Sequence, residues 1–407
     1  MERIDGGITT PQGFLAAGVH CGVKYRSLDL GMIYSEVSAK SFIGYTTNKV
    51  KAAPVQVMME EDPKELRAFI INSGNANALT GKRGYEDAKT MKAQAAKALE
   101  IEPEEVGVIS TGLIGRFLDM PKIIYGIDKA SRELTHGREA DQTAAEAIIT
   151  TDTGIKEVAY RVKLADGSHI MIGGMAKGSG MIAPHLKVLN GTTLSFITTD
   201  AVLSDNFNSV WQEILNDSLN MISVDGDQST NDMSVLLANG MAGGDCADDD
   251  PTFLEALREA MRELARTIAL DGEGATKLIE VTVNQAKTKP QARSAVMSIL
   301  NSPLVKTAIY GSDPNYGRIM MALGNSECEF LVEEVHLTIK GGDLEIPILE
   351  GGAPVFEDQR SVEVVRMAMD NKLVQVIVDL GAGEESATGW GCDLSYDYVR
   401  INAEYTT

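Results

Sequence analysis

A threonine near the middle of the chain is the residue whose position most directly indicates chemistry. Thr192 lies between a glycine-rich segment, Gly173 to Gly180, and a strong strand pattern, Leu194 to Ala201. A threonine hydroxyl is a weak nucleophile, but the α-amine of the same residue can act as its general base once the preceding peptide bond is cut. We therefore predict that the chain cleaves itself between Gly191 and Thr192, and that Thr192 becomes an N-terminal nucleophile.

The glycine-rich segment also carries one lysine, Lys177. A glycine-rich loop with a lysine can cradle a phosphate, but the order GxxxxGK[ST] is absent, because Gly178 follows the lysine and no helix pattern comes after it. A contact with a substrate carboxylate suits Lys177 better. The structural alternative is a lysine on a solvated loop.

Two apolar strand patterns end in small polar residues. The run 69–71 is followed by Asn72 to Asn77, and the run 108–109 by Ser110, Thr111 and Gly112. A threonine hydroxyl beside a glycine amide is a compact, neutral donor pair that can stabilise a developing oxyanion. Both segments are also typical of ordinary turns, and for Asn72 to Asn77 taken alone the turn is the favoured interpretation.

Two segments concentrate acidic residues, Val224 to Asp232 and Gly243 to Asp250. Their carboxylates could bind a cation, but no histidine lies near the first segment and the second lacks the spaced order of an EF-hand. We favour a hydrogen-bonded scaffold for the first, and a solvated turn leading into a helix for the second. His185 is the histidine closest in sequence to Thr192, and we favour a loop histidine over a Thr–His dyad.

The composition excludes several classes of partner. The 407 residues carry a formal net charge of -21, which opposes binding to phosphate backbones or anionic lipid. The four cysteines are far apart and form no CxxC pair, so neither a zinc site nor a disulfide framework is indicated. The N-terminus does not resemble a signal peptide, and no apolar run approaches the roughly 18 residues of a membrane span. We expect a cytoplasmic protein with small-molecule partners, without nucleic acid and without membrane insertion.

Strand and helix patterns alternate along the chain, which predicts a mixed α/β fold. The clearest strands are Ala68 to Ile71, Glu157 to Leu164, Leu278 to Val283 and Val335 to Ile339, and the clearest helices are Tyr85 to Leu99 and Thr252 to Leu270. The last helix places an apolar residue every three or four positions, so that one face packs against a sheet. Asp250-Pro251-Thr252 is a plausible start signal for it.

Taken together, the polar segments resemble the ornithine acetyltransferase family, the ArgJ-type enzymes of arginine biosynthesis. The resemblance runs over nearly the whole chain and rests on eight ordered segments: Asn72 to Asn77, Ser110 to Gly112, Thr150 to Thr153, Lys177 to Ile182, Thr198 to Ala201, Val224 to Asp227, Asp271 to Lys277 and Asp313 to Arg318. It implies an α/β (mixed α+β) fold of the DmpA/ArgJ type with two lobes.

The resemblance also implies two fragments that stay together after self-cleavage. Residues 1–191 would form the α chain, with an N-terminal lobe, the oxyanion hole and the glycine-rich loop. Residues 192–407 would form the β chain, with the threonine nucleophile and a C-terminal lobe. The fragments would assemble as a heterotetramer or a larger oligomer.

For the chemistry, the resemblance implies transfer of acetyl from N2-acetyl-L-ornithine to L-glutamate through an acetyl-threonine, with ping-pong kinetics. Thr111 and the Gly112 amide would form the oxyanion hole. The residues that would contact the substrate are Thr151, Lys177, Thr192, Glu273, Asn402 and Thr407. No cofactor or metal is implied, and use of acetyl-CoA as a second acetyl donor is left open.

The sequence departs from the family at the cleavage segment. Lys187 to Asn190 has no counterpart in the family pattern, and Gly191 replaces an alanine. The extra residues could displace the scissile bond or move the nucleophile to Thr193, whereas the glycine could help the peptide to adopt a strained conformation. Two alternatives therefore stand beside the acetyltransferase: an N-terminal-threonine amidase or aminopeptidase of related fold, and an uncleaved, inactive homologue.

Overall fold

Two β-sheets form the framework of the protein, for which a computed structural model describes residues 1–187, 193–355 and 359–404. The strands in this part of the chain are β1 (Glu2–Arg3), β2 (Phe14–Val19), β3 (Leu30–Thr46), β4 (Glu65–Asn75), β5 (Val106–Leu113), β6 (Lys156–Lys163), β7 (His169–Lys177), β8 (Leu186–Lys187), β9 (Leu194–Thr199), β10 (Ile222–Ser223), β11 (Met233–Ala238), β12 (Leu278–Ala286), β13 (His336–Gly341), β14 (Leu344–Glu350), β15 (Ala353–Pro354), β16 (Leu373–Asp379) and β17 (Glu385–Cys392).

Helices accompany both sheets. They are α1 (Ala53–Glu61), α2 (Gly81–Leu99), α3 (Met120–Glu133), α4 (Arg138–Ile148), α5 (Asn208–Asn216), α6 (Pro251–Leu270), α7 (Lys289–Leu300), α8 (Pro303–Tyr310), α9 (Tyr316–Gly324), α10 (Gln359–Met369) and α11 (Tyr396–Glu404). Short 3-10 helices cover Pro103–Glu105, Leu219–Met221 and Val332–Glu334. The long helix α6 contacts strands of both sheets.

The larger sheet runs in the order β1-β6-β7-β9-β11-β3-β4-β5, with β2 and β8 also paired to β3. Its pairs are antiparallel except β9 with β11 and β4 with β5. Because β4 and β5 are parallel, their carboxyl ends meet at one edge of the sheet. The polar residues that follow each apolar run therefore become neighbours.

The smaller sheet runs in the order β10-β17-β12-β16-β13-β14-β15. Strand β12 pairs in parallel with β16 and antiparallel with β17. Helix α7 packs on β12 and β17, and α10 packs on β13. Every strand of this sheet comes from residues beyond 221.

The larger sheet is buried on both faces. All six residues of β9 are buried. Phe196 belongs to the core on the side of α1 to α4, whereas the adjacent Ile197 belongs to the core shared with α6 and the smaller sheet. Successive strand residues point to opposite faces, so a strand covered on both sides reads as a continuous apolar run.

The mixed α/β class predicted from the sequence is confirmed, and so are the clearest elements. Helix α6 begins after Asp250, whose carboxylate accepts hydrogen bonds from the Thr252 and Phe253 amides. Helix α2 starts four residues before the predicted Tyr85, at Gly81. Strand β4 continues through Asn75, so residues 72 to 75 extend the strand instead of beginning a turn, and only Ala76 and Asn77 of the predicted segment lie beyond it.

The predicted fragments do not coincide with the two sheets. Strands β9 and β11 follow the predicted cut, yet they lie inside the larger sheet between β7 and β3. The N-terminal part of the chain thus shares its sheet with two strands of the C-terminal part.

Candidate active site

One cavity of about 260 Å³ brings together six of the residues to which the resemblance gives a role: Thr111, Gly112, Thr151, Lys177, Glu273 and Asn402. The other predicted residues, Gly191, Thr192 and Thr407, lie outside the described residues, as does most of the Lys187 to Asn190 departure. Thr193, the first described residue after this gap, lines the cavity. The cavity therefore lies beside the predicted cleavage segment.

The paired ends of β4 and β5 form one wall. Their parallel register places Gly74 opposite Gly112. Gly112 has φ of 129°, and a Cβ there would lie 2.4 Å from the Gly74 carbonyl carbon. Only glycine fits this conformation and this approach, so the strand ends can close together next to Thr111.

Buried amides hold these strand ends in place. Asn231 Nδ2 donates to the carbonyl oxygens of Ala76 and Ser110, at 2.6 and 2.7 Å. Ser110 Oγ donates to Asn72 Oδ1 at 2.5 Å. These contacts satisfy buried polar groups and fix the strand that carries Thr111. The segments Asn72 to Asn77 and Val224 to Asp232 thus support the cavity wall, and some of their residues, Gly74 and Asp232 among them, also line the cavity.

Lys177 is the last residue of β7, and its side chain reaches the cavity. Its Nζ lies 3.4 Å from Thr111 Oγ1. The residue pairs across the sheet with Leu194, at the start of β9. The structure thus places Lys177 at a strand end inside the cavity and not on a solvated loop, and its contact to a substrate carboxylate stays a prediction.

A buried ion-pair cluster anchors the segment that carries Thr151. Asp152 accepts hydrogen bonds from Lys156 Nζ at 2.6 Å and from the Gly178 amide at 2.7 Å. Burial alone would raise the pKa of Asp152, but the ammonium groups of Lys177 and Lys156 outweigh it and lower this pKa to about 2. Asp152 is therefore ionised, and it ties the Thr151 segment to the end of β7.

A carboxylate, Glu273, supplies the opposite charge. Asn402 Nδ2 donates to Glu273 Oε2 at 2.9 Å. A Cβ on Gly180 would lie within 2.4 to 2.5 Å of the Glu273 carboxylate, so the glycine leaves room for it. A ligand that carries one carboxylate and one ammonium can meet Lys177 and Glu273 in the same cavity.

The sequence names Thr193 as an alternative nucleophile, but it gives no sign that this residue is buried next to Asp232. Thr193 has φ of 85°, a strained conformation for a β-branched residue. Its Oγ1 and Asp232 Oδ2 are buried without a hydrogen-bond partner among the described residues. Burial raises the pKa of Asp232 to about 8, and the Thr193 amide and the Lys177 ammonium offset this only in part. From the sequence, Asp232 belongs to a segment for which a hydrogen-bonded scaffold is favoured over cation binding.

A second lysine, Lys24, also lines the cavity and was missed. It lies in the irregular segment between β2 and β3, where a single lysine gives no sequence signal. Burial lowers its pKa to about 8.

Other sequence candidates lie away from the cavity. His185 lines a different cavity of about 530 Å³, together with Asn216 and Asn220, and does not line the one described above. Residues 1–187, 193–355 and 359–404 contain no cluster of three His, Cys, Asp or Glu that could hold a metal ion. Within the same ranges no helix is both long enough and apolar enough to cross a membrane.

Comparison with known proteins gives one consistent family. The ArgJ family model matches residues 15–407. The chain is 47% identical to the arginine biosynthesis bifunctional protein ArgJ of Caldanaerobacter subterraneus subsp. tengcongensis, over 100% of both chains. It is 43% identical to the glutamate N-acetyltransferase of Methanothermobacter thermautotrophicus, over 100% of this chain and 99% of that protein.

Two crystal structures cover part of the chain. One is ArgJ from Bacillus halodurans, which is 43% identical and covers 46% of this chain and 97% of its own, with a TM-score of 0.43. The other is ornithine acetyltransferase from Mycobacterium tuberculosis complexed with ornithine, which is 39% identical and covers 46% of this chain and 98% of its own, with a TM-score of 0.42.

Proposed function

Because the chain belongs to the ArgJ family, we propose that it is an acyltransferase of arginine biosynthesis that moves acetyl from N2-acetyl-L-ornithine to L-glutamate. The observation that supports this best is the single cavity that holds a cation, an anion and a hydroxyl–glycine pair: Lys177, Glu273, and Thr111 with Gly112. This set matches the charges and the amide of acetylornithine.

In the proposed complex each charged end of acetylornithine has a partner. The α-carboxylate faces Lys177, and the side-chain ammonium faces Glu273, which Asn402 holds in place. Charge-assisted hydrogen bonds of this kind are stronger than neutral ones. With both ends fixed, the acetyl carbonyl oxygen is placed near Thr111 and Gly112, which stabilise negative charge as it develops.

The reaction then proceeds in two half-reactions. The hydroxyl oxygen of Thr192 attacks the acetyl carbon while the α-amine of Thr192 takes the hydroxyl proton. The C–N bond breaks, the departing ornithine amine takes that proton, and an acetyl-threonine ester remains. The α-amine of glutamate attacks the ester, the threonine oxygen leaves and regains a proton, and acetylglutamate is released.

The proposed reaction needs no redox cofactor, since an amide is converted into an ester and then into another amide without change of oxidation state. It needs no metal either, because Thr192 supplies the nucleophile and the base, and Thr111 with Gly112 stabilises the oxyanion. The α-amine of Thr192 must be free, so we propose that the bond between Gly191 and Thr192 is cut by the protein itself. The fragments 1–191 and 192–407 then remain together and assemble as a heterotetramer or larger.

Isotope tracing tests the proposed transfer. The purified protein is incubated with acetyl-deuterated acetylornithine and glutamate, and the products are separated by liquid chromatography and mass spectrometry. Deuterated acetylglutamate is expected. Free deuterated acetate without acetylglutamate would show that the protein is an amidase and not a transferase. If no ornithine is released, the protein is an inactive homologue. A parallel reaction with deuterated acetyl-CoA and glutamate determines whether acetyl-CoA is a second donor.

A further inference from the structure

The two substrates of the proposed reaction end in opposite charges. The donor carries a side-chain ammonium, which suits Glu273, whereas the acceptor glutamate carries a side-chain carboxylate. A carboxylate beside Glu273 would be repelled, because like charges at contact distance disfavour each other. If acetyl transfer to glutamate is correct, the cavity must therefore offer a second cation to the acceptor.

Lys24 is such a cation. Among the described residues that line the cavity, only Lys24 and Lys177 are cationic. Lys177 serves the α-carboxylate that donor and acceptor share. Lys24 is left for the carboxylate that only the acceptor has.

The described residues around Lys24 hold its ammonium group with two hydrogen bonds and leave its third N–H group free. Nζ donates to the carbonyl oxygens of Leu28, at 2.9 Å, and Ile149, at 2.6 Å. An ammonium has three N–H donors, and the third finds no partner among the described residues. A half-buried cation with a spare donor is able to bind an anionic ligand group.

The stem of Lys24 packs beside the oxyanion-hole strands. A Cβ on Gly74 would lie 3.0 Å from Lys24 Cγ, and Gly74 pairs with Gly112 across the sheet. The side chain thus approaches the cavity from the side of β4 and β5, close to where the acetyl group is transferred.

We propose that Lys24 binds the side-chain carboxylate of the acceptor and thereby selects a dicarboxylic amino acid over its neutral amide. Lys24 is then a specificity-determining residue of the second half-reaction, with no role in acetylation of the threonine.

The decisive variant is Lys24→Gln, because glutamine keeps N–H donors on a side chain only one atom shorter but carries no charge. Lys24→Arg is the matched control that keeps the charge. For each protein kcat/KM is measured with glutamate and with glutamine as acceptors. The single-turnover release of ornithine from acetylornithine, without any acceptor, is measured in parallel.

Lys24→Gln is expected to lower kcat/KM for glutamate about 10- to 100-fold, as for loss of one hydrogen bond to a charged group. The value for glutamine and the ornithine release should stay unchanged, and Lys24→Arg should keep the preference for glutamate. An equal loss with both acceptors would overturn the proposal in favour of a structural role. A slower ornithine release would assign Lys24 to the donor.

A binding measurement separates this inference from the proposed function. Glutarate, which has two carboxylates and no amine, is titrated into wild type and Lys24→Gln by calorimetry, with the neutral amide analogue glutaramate as control. Weaker binding of glutarate alone to the variant supports Lys24 as a carboxylate site even if wild type transfers no acetyl group. Equal glutarate affinity in both proteins rejects the inference, whatever the activity.

Discussion

Thr111 combines two properties that an oxyanion donor needs: it is buried, at 7% exposure, and it lines the cavity beside Lys177. We expect Thr111→Ala to lower kcat by about 10²- to 10³-fold, the usual loss when one oxyanion donor is removed. Steady-state kinetics with acetylornithine and glutamate measure this. Thr111→Ser keeps a hydroxyl and should retain most of the activity, whereas equal activity of the alanine and serine variants would remove Thr111 from the oxyanion hole.

Asp232 gives a prediction about the pH dependence of stability. Its pKa is raised to about 8, so the folded protein binds a proton more tightly than the unfolded chain, whose ordinary value is near 4. The free energy of unfolding of wild type should therefore fall as pH rises from about 4 to about 8. Asp232→Asn cannot titrate and does not show this loss.

Thermal melts of both proteins across this pH range measure the effect. The melting temperature of Asp232→Asn relative to wild type should rise with pH and level off above about pH 8. A difference that is constant with pH would mean that Asp232 is ionised throughout the range. Asp205→Asn, at an acid whose side chain is 87% exposed, is a suitable control.

The position of a single residue can be predicted from the sequence when the residues adjacent to it in the chain form a recognisable pattern. Thr111 follows an apolar run, which indicates a strand end, whereas Lys177 lies in a glycine-rich segment that indicates a loop, although the structure places it at the end of β7. Asp232 and Lys24 have no such context. Part of their surroundings comes from segments distant in the chain, Ile149 for Lys24 and Thr193 for Asp232, so their role becomes visible only in the folded structure.

The junction of β4 and β5 depends on Gly112, and the nearby Gly115 offers a comparison at which only backbone strain acts. In Gly112→Ala the new Cβ would lie 2.4 Å from the backbone of Gly74, so one of the two strand ends must move. Gly115 has φ of 80° but nothing within 4 Å of its Cβ position. We expect Gly115→Ala to cost about 1 kcal/mol through backbone strain alone, and Gly112→Ala to cost clearly more and to lower activity.

Chemical denaturation and kcat measured on the same two variants test this. Equal stability losses would show that left-handed strain, which both positions share, accounts for the effect. A large loss of activity without a stability loss would instead assign Gly112 to catalysis alone.

The buried cluster of Lys156, Asp152 and Asp271 joins three elements: the start of β6, the segment before it and the end of α6. Lys156 Nζ lies 2.6 Å from both carboxylates. Asp152→Asn breaks a buried pair and should destabilise the protein by about 3 to 5 kcal/mol. The exposed pair Lys340–Glu345 is the control, since Glu345→Gln should cost less than about 1 kcal/mol.

Denaturation at several pH values separates charge from packing in this cluster. The pKa of Asp152 is lowered to about 2, so its stabilisation is present above the ordinary value near 4 and is lost as pH falls towards 2. The difference in the free energy of unfolding between wild type and Asp152→Asn should therefore decrease as pH falls from about 4 to about 2. If this difference is unchanged at pH 2, Asp152 stabilises the protein through packing and not through its charge.

Elements with a long periodic pattern were predicted best. The helix Pro251–Leu270 follows from its apolar spacing and its Asp250 cap. The ends of strands were predicted less well, since β4 extends through polar residues that resemble a turn. Pairing with β5 and hydrogen bonds from Asn231 stabilise this extension, and neither partner is adjacent in sequence.

For the whole molecule, the strand order of the larger sheet decides what a cut before Thr192 would do. Strand β9 pairs with β7 on one side and with β11 on the other, and β11 pairs with β3. Such pairing joins segments from distant parts of the chain. A local pattern predicts β9, but it does not specify the neighbours of this strand, which is why the shared sheet could not be predicted from the sequence.

The same strand order predicts that self-cleavage leaves the two fragments firmly associated. Separation would expose the edges of β7 and β3 and both apolar faces of β9, so the free energy of burial opposes it. We expect two bands on a denaturing gel, the second fragment starting at Thr192, but a single species in native mass spectrometry. Thr192→Ala is the matched control and should remain one chain of the same native assembly. If the second fragment starts at Thr193, the nucleophile is Thr193 and not Thr192. A wild-type protein that stays uncut would refute self-processing. Fragments that separate without denaturant would contradict the shared sheet.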